Sequence, residues 1–221
     1  MSTTTALVTG ASRGLGAAIA EHLKSEGWDV LTPSRSELDL ADVESIQAYV
    51  SVLPEVFGLV LNAGINEPRL MPDIDDQAWH RIQETNTTSA FRLITALAPR
   101  MAATSGGRIV AVSSAYSERA RSGRAAYSAS KAALEALVRS TALEFASTGV
   151  LANAVAPGFV DTELTRANND PATIVTLLER VPIGRLADPQ EIASTVGFLL
   201  SPSNTYITGQ TIAVDGGWSI T

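Results

Sequence analysis

At 221 residues, with 45% hydrophobic side chains, the chain is long enough for one large domain around a single core. A net charge of −7 and the lack of any basic run argue against electrostatic binding to nucleic acid or to an anionic membrane surface. With no cysteine, disulfides, thiolate metal sites and a cysteine nucleophile are excluded, and the two histidines, His22 and His80, have no ligand-spaced partners, so no metal is expected.

Residues 1–5 are short and polar and lead at once into a buried strand over 4–8, so no signal peptide is expected; nor does any apolar run reach membrane-spanning length. A cytoplasmic protein follows as the expectation. The strand breaks at Gly10, and Leu15, Ala18, Ile19 and Leu23 then recur at helical spacing until Gly27. A second strand is expected over 28–31 and a third over 56–61, ending in Asn62-Ala63-Gly64. One long helix is expected over 79–101, then a strand over 108–112 ending in Ser113-Ser114. A helix opening near Tyr127 runs to about 147, and the strand 150–155 stops at Pro157-Gly158. Asp188-Pro189-Gln190-Glu191 has the form of a helix start: an Asp cap, proline in the first position and glutamate three after the cap. A last strand covers 211–214. Strands alternating with helices imply an α/β fold, a doubly wound parallel sheet in one domain spanning 1–221.

Two groups of residues carry chemistry. The glycines of Thr9-Gly10-Ala11-Ser12-Arg13-Gly14-Leu15-Gly16 lie between the first strand and the first helix. There, Gly10 permits the tight turn, Gly14 lets the backbone approach a phosphate, and Gly16 lets the helix pack on the strand, with a pyrophosphate resting on the helix N-terminus. The second group is Tyr127 and Lys131, four residues apart and so on one helix face. Of sixteen basic residues only Lys24 and Lys131 are lysine. A phenol is a poor acid or base near neutrality unless a cation stabilises its anion, and lysine supplies a compact point charge.

Thr-Gly-x-x-x-Gly-x-Gly, Asn62-Ala63-Gly64, Ser114 with Tyr127 and Lys131, and Pro157-Gly158, in this order, resemble the short-chain dehydrogenase/reductase family from about residue 5 to the C-terminus. Glu84-Thr85-Asn86, Gly107-Arg108-Ile109-Val110, Ala156-Pro157-Gly158-Phe159 and Tyr206-Ile207-Thr208-Gly209-Gln210 look nearest to its 3-oxoacyl-[acyl-carrier-protein] reductase branch. The resemblance implies a Rossmann-type fold and a nicotinamide cofactor. It makes Tyr127 the proton donor or acceptor, has Lys131 lower the tyrosine pKa and hold the nicotinamide ribose, and has Ser114 bind the substrate oxygen. Asn86 would anchor a water relay to the lysine. Pro157, Gly158, Val160 and Thr162 match the segment that grips the nicotinamide. The remaining cofactor contacts would be Gly10, Ser12, Arg13, Gly14, Leu15, Gly16, Arg35, Asp39, Leu40, Asn62, Ala63 and Gly64, beside Tyr127 and Lys131. A homotetramer built on the two long helices and the C-terminal strand is also implied.

The chain departs from the family pattern in two places. Only Pro33-Ser34-Arg35-Ser36-Glu37-Leu38 separates Thr32 from Asp39, too few for a parallel crossover, so a trimmed edge is expected, with its helix missing and its outer strand lost or a stub. At that edge no acid stands at Thr32, Pro33 or Ser34, and Arg35 follows; with Arg13 it points to NADP rather than NAD. The second departure concerns the substrate. Where similar carrier-protein reductases have arginines, this chain has Ser105 and Thr148, while Arg119, Arg121 and Arg124 crowd the loop between Ser114 and Tyr127. A small carbonyl or alcohol, an anionic one where such an arginine serves it, fits better than a carrier-bound thioester. Residues 163–185 form the expected substrate loop, with a turn at Asn168-Asn169-Asp170-Pro171 and an apolar face of Ile174, Leu177 and Leu178. Interconversion of a ketone and a secondary alcohol is the expected reaction. A cofactor sensor without turnover, and a dehydratase or epimerase on the same scaffold, remain the alternatives.

Overall fold

The computed structural model describes residues 4–104 and 106–221. Six parallel strands, β1 (Thr5–Val8), β2 (Asp29–Leu31), β3 (Gly58–Leu61), β4 (Gly107–Val112), β5 (Val150–Pro157) and β6 (Thr211–Val214), stand in the order β2-β1-β3-β4-β5-β6. The chain leaves β1 first to one side and then, with β3, to the other. A crevice therefore opens beyond the carboxyl ends of β1 and β3, the position where doubly wound sheets hold ligands.

Side-chain alternation along the strands divides the core into two layers. Leu7, Leu59, Leu61, Ile109 and Ala111 face helices α2 (Val43–Val52), α4 (Ser89–Ala102) and α5 (Ala125–Phe145). Ala6, Val8, Val60, Val110, Val112 and Val155 face α1 (Gly14–Ser25) and α8 (Pro189–Leu200). Both faces are thus covered, as a parallel sheet requires.

The edge is trimmed as the short connection demands. No strand forms at 38–40; the chain turns on Ser34, whose backbone N–H and hydroxyl both donate to the Glu37 carboxylate at 2.8 Å. Leu38 drops into the core at 5% exposure, and β2 is left as a three-residue edge. Sequence reasoning overlooked α2, although Asp42 caps it by accepting from the Glu44 N–H.

The long helix expected over 79–101 forms as one unbroken helical run that starts earlier, at Asp76. Helix α3 (Asp76–Gln83), capped by Asp75, continues through one π-helical turn at Glu84–Thr88 into α4. A π turn inserts a residue into the ladder and re-aims the side chains on it, here Asn86. Hydrophobic periodicity carries no mark of one extra residue. Asp188 and Glu191 do make the expected capping box on α8. The substrate loop forms two short helices, α6 (Glu163–Ala167) and α7 (Pro171–Leu178), around the turn at 168–170. Ile174, Leu177 and Leu178 are partly buried while Val175 is exposed.

Candidate active site

A cleft of about 1070 Å³ runs along the carboxyl ends of the strands. Gly10, Ser12, Arg13, Gly14, Leu15 and Gly16 line it at the start of α1; Arg35, Asp39 and Leu40 lie at the trimmed edge; Asn62, Ala63 and Gly64 follow β3. Ser114, Tyr127, Lys131, Pro157, Gly158, Val160 and Thr162 complete the wall. Asn86 stands behind that wall, 1% exposed. His80, expected to be a solvated helix residue, is exposed and lies at the rim of the cleft with Arg81.

The glycine turn is built for close approach. Gly10 has φ +66°, and a Cβ there would stand 2.8 Å from the Ala63 Cα. A Cβ on Gly16 would run into the Gly10 carbonyl oxygen and the Asn62 amide, so glycine is required for α1 to start where it does. Thr9 stitches this turn to β3. Its buried hydroxyl donates to the Val60 carbonyl at 3.2 Å and accepts from the N–H groups of Asn62 and Ala63. Asn62 returns two bonds, donating to the carbonyls of Thr9 and Gly10. The first turn of α1 carries no acidic residue and no side-chain cap, whereas Asp42, Asp170 and Asp188 cap α2, α7 and α8. Its N–H groups and positive dipole end are therefore open to an anion. These features fit the phosphates of a dinucleotide.

The two cations expected to read a 2′-phosphate are each paired with an acid. Arg13 meets Glu163 at 3.2 Å and Arg35 meets Asp39 at 3.3 Å, both as exposed guanidinium groups. Such pairs are weak and are readily exchanged for a better anion. The Asp39 carboxylate is held below the usual range mainly by the Ala41 backbone N–H, with Arg35 adding to it.

At the other end, β4 delivers Ser114 and the first two turns of α5 deliver Tyr127 and Lys131. Lys131 is 3% exposed and donates from Nζ to the Val112 carbonyl at 2.7 Å. Burial pulls its pKa down to about 8, opposed by the charge of Glu135 one turn on. Asn86 accepts from the Ile65 N–H at 2.8 Å and donates to the Ile65 carbonyl and to Ser130 Oγ. A Cβ on Gly64 would lie 3.3 Å from both Asn86 Oδ1 and Lys131 Nζ, so this glycine sits where the two polar groups converge. The π turn thus brings Asn86 to the lysine.

Burial raises the Tyr127 phenol pKa, and the Ser114 hydroxyl and the Arg124 guanidinium act against that rise. The Lys131 ammonium stands over the Tyr127 ring, 5.7 Å from its centroid, while it donates to the Val112 carbonyl. Spacing placed both residues on one face but could not show where the flexible lysine stem points.

The loop arginines separate into different roles. Arg119 lies over the Trp218 ring at 5.3 Å and donates to the Trp218 carbonyl. Arg121 donates to the Tyr116 hydroxyl at 3.0 Å and to Asn169 Oδ1 at 3.2 Å. Arg124 is 5% exposed and donates from Nη2 to the Asn168 carbonyl at 3.3 Å. Of the two positions compared with carrier-protein reductases, Thr148 is exposed and uncharged, and Ser105 lies outside the described residues.

Two family models match this chain: one described as enoyl-(acyl carrier protein) reductase over residues 32–219, and one as short chain dehydrogenase over residues 4–47. Among curated proteins, the 3-oxoacyl-[acyl-carrier-protein] reductase FabG of Vibrio cholerae is 43% identical, with 96% of each chain covered. The FabG of Escherichia coli is 40% identical over the same shares. Among solved structures, the ligand-free aldohexose dehydrogenase of Thermoplasma acidophilum superposes with a TM-score of 0.93 at 31% identity, over 99% of this chain and 95% of that one. A gluconate 5-dehydrogenase of Burkholderia cenocepacia, in complex with NADP and tartrate, gives 0.90 at 28% identity, over 100% and 97%. This chain belongs to the short-chain dehydrogenase/reductase family, as an NAD(P)-dependent oxidoreductase acting on CH–OH groups.

Proposed function

We propose that this chain is a cytoplasmic, NADP(H)-dependent enzyme that interconverts a small ketone and its secondary alcohol, with Tyr127 as the proton donor and acceptor. The observation that carries the reading is the single cleft that joins the phosphate-ready glycine turn to Ser114, Tyr127 and Lys131. Arg13 and Arg35, both on exposed surface at the cleft mouth, support NADP over NAD, because each can exchange a weak acid partner for a 2′-phosphate.

When bound, the nicotinamide supplies or accepts the hydride. The protein handles the proton and the charge. Ser114 Oγ donates a hydrogen bond to the carbonyl oxygen as negative charge grows there, and the Tyr127 hydroxyl protonates it. Asn86, fixed by three hydrogen bonds, keeps a polar route from Lys131 to the interior end of the cleft, so that the phenol is recharged after each turnover. The Val112 carbonyl holds the ammonium in place, and the missing Cβ at Gly64 leaves room for it. Helix α6 contributes Leu164, Thr165 and Ala167 to the cleft wall.

A carrier-protein thioester is disfavoured by the uncharged, exposed Thr148 and by the acidic surface, since an acidic carrier would meet repulsion. Exposed apolar residues on the two long helices, Phe91 and Leu143, and the unpaired edge of β6 support a homotetramer. Light scattering at micromolar concentration checks that assembly.

NADPH oxidation against a panel of carbonyl compounds tests the reading. Turnover on at least one ketone, with NADPH favoured over NADH, is expected. Tight NADPH binding with no turnover on several dozen carbonyls would instead mark a cofactor sensor. Product formed without net cofactor change would mark a dehydratase or epimerase.

A further inference from the structure

Close to Tyr127 stands one cation whose chemistry the fold does not use up. Arg124 opens α5, three residues before Tyr127, and is 5% exposed. Its Nη2 reaches the Asn168 carbonyl, while its Nη1 is buried with no hydrogen-bond partner among the described residues. Neither Arg124 nor Arg121 forms an ion pair with a carboxylate among those residues. A buried guanidinium without an anion is costly, because burial removes water from a charge and nothing replaces it. The other buried arginine shows what satisfaction looks like: Arg108 donates to three carbonyls, those of Asn204, Gly107 and Gly149, and lies over the Phe57 ring.

Arg124 also sits where a substrate group would be felt. It precedes Tyr127 by about one helical turn, and Arg121 in the same loop donates to the hydroxyl of Tyr116, which packs edge-on against Phe159 and Trp218. The turn between α6 and α7 closes over it through Asn168, and Arg121 holds the same turn through Asn169. Folding has therefore placed an unsatisfied cation beneath the substrate loop, one turn of helix from the acid/base.

We propose that Arg124 is the specificity-determining residue for a carboxylate on the substrate, so that this enzyme acts on oxo acids and their hydroxy-acid products rather than on neutral ketones. The assignment rests on the oxidoreductase reading above and names the substrate class of that same cleft. A carboxylate is favoured over a phosphate because only one guanidinium is free: Arg121 is engaged by Tyr116 and Asn169, Arg119 by Trp218, and a dianion would call for a second cation. Nη1 offers the charge-assisted donor that the carboxylate accepts, and the Asn168 contact lets the loop settle on the occupied site.

Acetoacetate and methyl acetoacetate present the same ketone with and without a charge. Measuring kcat/KM for both with NADPH is expected to show the parent enzyme preferring the acid. In Arg124→Gln the acid-to-ester ratio should fall by about 10- to 100-fold, the range for losing one charge-assisted hydrogen bond, and the change should appear in KM. Arg124→Lys, which keeps the charge without the fork, should restore part of the ratio. Equal losses on acid and ester would make Arg124 a merely structural residue and overturn the proposal, as would a parent enzyme that prefers the ester, or one that prefers dihydroxyacetone phosphate to both.

If neither ketone is turned over, the oxidoreductase reading is what fails, and binding then decides the Arg124 assignment separately. Acetoacetate at tens of millimolar should raise the parent's Tm more than the ester does, by mass action, and Arg124→Gln should lose the difference. No difference in the parent would overturn the assignment.

Discussion

The two ends of the cleft are held together by different materials. Around the glycine turn the positions rest mainly on the backbone: positive-φ glycine, close approach of α1 to β1, and main-chain groups of two loops that the Thr9 and Asn62 side chains lock together. At the far end the positions are set by side chains: a lysine aimed at a carbonyl, an asparagine re-aimed by a π turn, and arginines that tie down the substrate loop. Backbone geometry tolerates no substitution at its close contacts but is indifferent to the chemistry of the substrate. Side-chain geometry can change with the substrate while the scaffold persists. A fold that serves many substrates with one cofactor class needs this division.

The sharpest way to test the division is to remove chemistry at the side-chain end while leaving the backbone end intact. Tyr127→Phe deletes one hydroxyl and no packing atom. Turnover should fall by about a thousandfold, within the range for general acid–base catalysis, while fluorescence titration should show unchanged NADPH affinity. A variant that lost affinity as well would mean that the two ends are not separable.

Lys131→Arg should cost about a hundredfold in kcat/KM. The charge survives, but a planar fork cannot occupy the space where the ammonium meets the Val112 carbonyl beside Gly64. The pH profile gives an independent reading. Burial has brought the Lys131 pKa down to about 8, so the parent loses this positive charge as pH rises through that value, and reductive kcat/KM should decline above it. Arginine keeps its proton throughout that range, so the residual activity of the variant should lack the break. Were the break to persist in the variant, another group would own it.

What could be read from the sequence follows the same line. The glycine turn, the strand ends and the α8 capping box were legible because each depends on local backbone demands that only particular residues meet: glycine at φ +66°, or aspartate before proline. The trimmed edge was legible from chain length alone, since six residues cannot make a parallel crossover. Asn86 was legible only through the family pattern, because no periodicity reveals a single inserted residue in the ladder at Glu84–Thr88. The destination of the Lys131 ammonium and the separation of Arg119, Arg121 and Arg124 were not legible. Long flexible side chains within a few residues of each other reach partners more than forty residues away, such as Trp218 and Asn168.

At the backbone end, Gly16→Ala should act on stability and cofactor affinity together. The added methyl group would collide with the Gly10 carbonyl and the Asn62 amide, neither of which can yield without moving the turn. Overpacking of this kind costs about 2–3 kcal/mol, or roughly 5–10 °C in Tm for a domain of this size. NADPH affinity should fall with it, since the same shift moves the N–H groups at the start of α1. Gly27→Ala is the control: its Cβ meets nothing within 4 Å, so the only penalty is that of a positive φ of 86°, and cofactor affinity should not change.

The smallest effect is expected at the trimmed edge, where the backbone end also recruits a side chain. Among the described residues Arg35 is tethered only by an exposed contact to Asp39, and the Asp39 carboxylate is already satisfied by the Ala41 N–H. Asp39 therefore gives up the arginine at little cost, and a 2′-phosphate would gain a charge-assisted partner at a site open to water. Arg35→Ser should raise the KM for NADPH about tenfold and leave that for NADH within about twofold, the measure of one exposed ion pair to a dianion. Because the contact is exposed, the preference of the parent for NADPH should weaken as salt rises from 50 to 500 mM, whereas the variant should show a flatter dependence. A parent whose cofactor preference ignores both salt and this substitution would move the reading of the 2′-position to Arg13, the other cation at the mouth, which is likewise held by an exposed acid, Glu163.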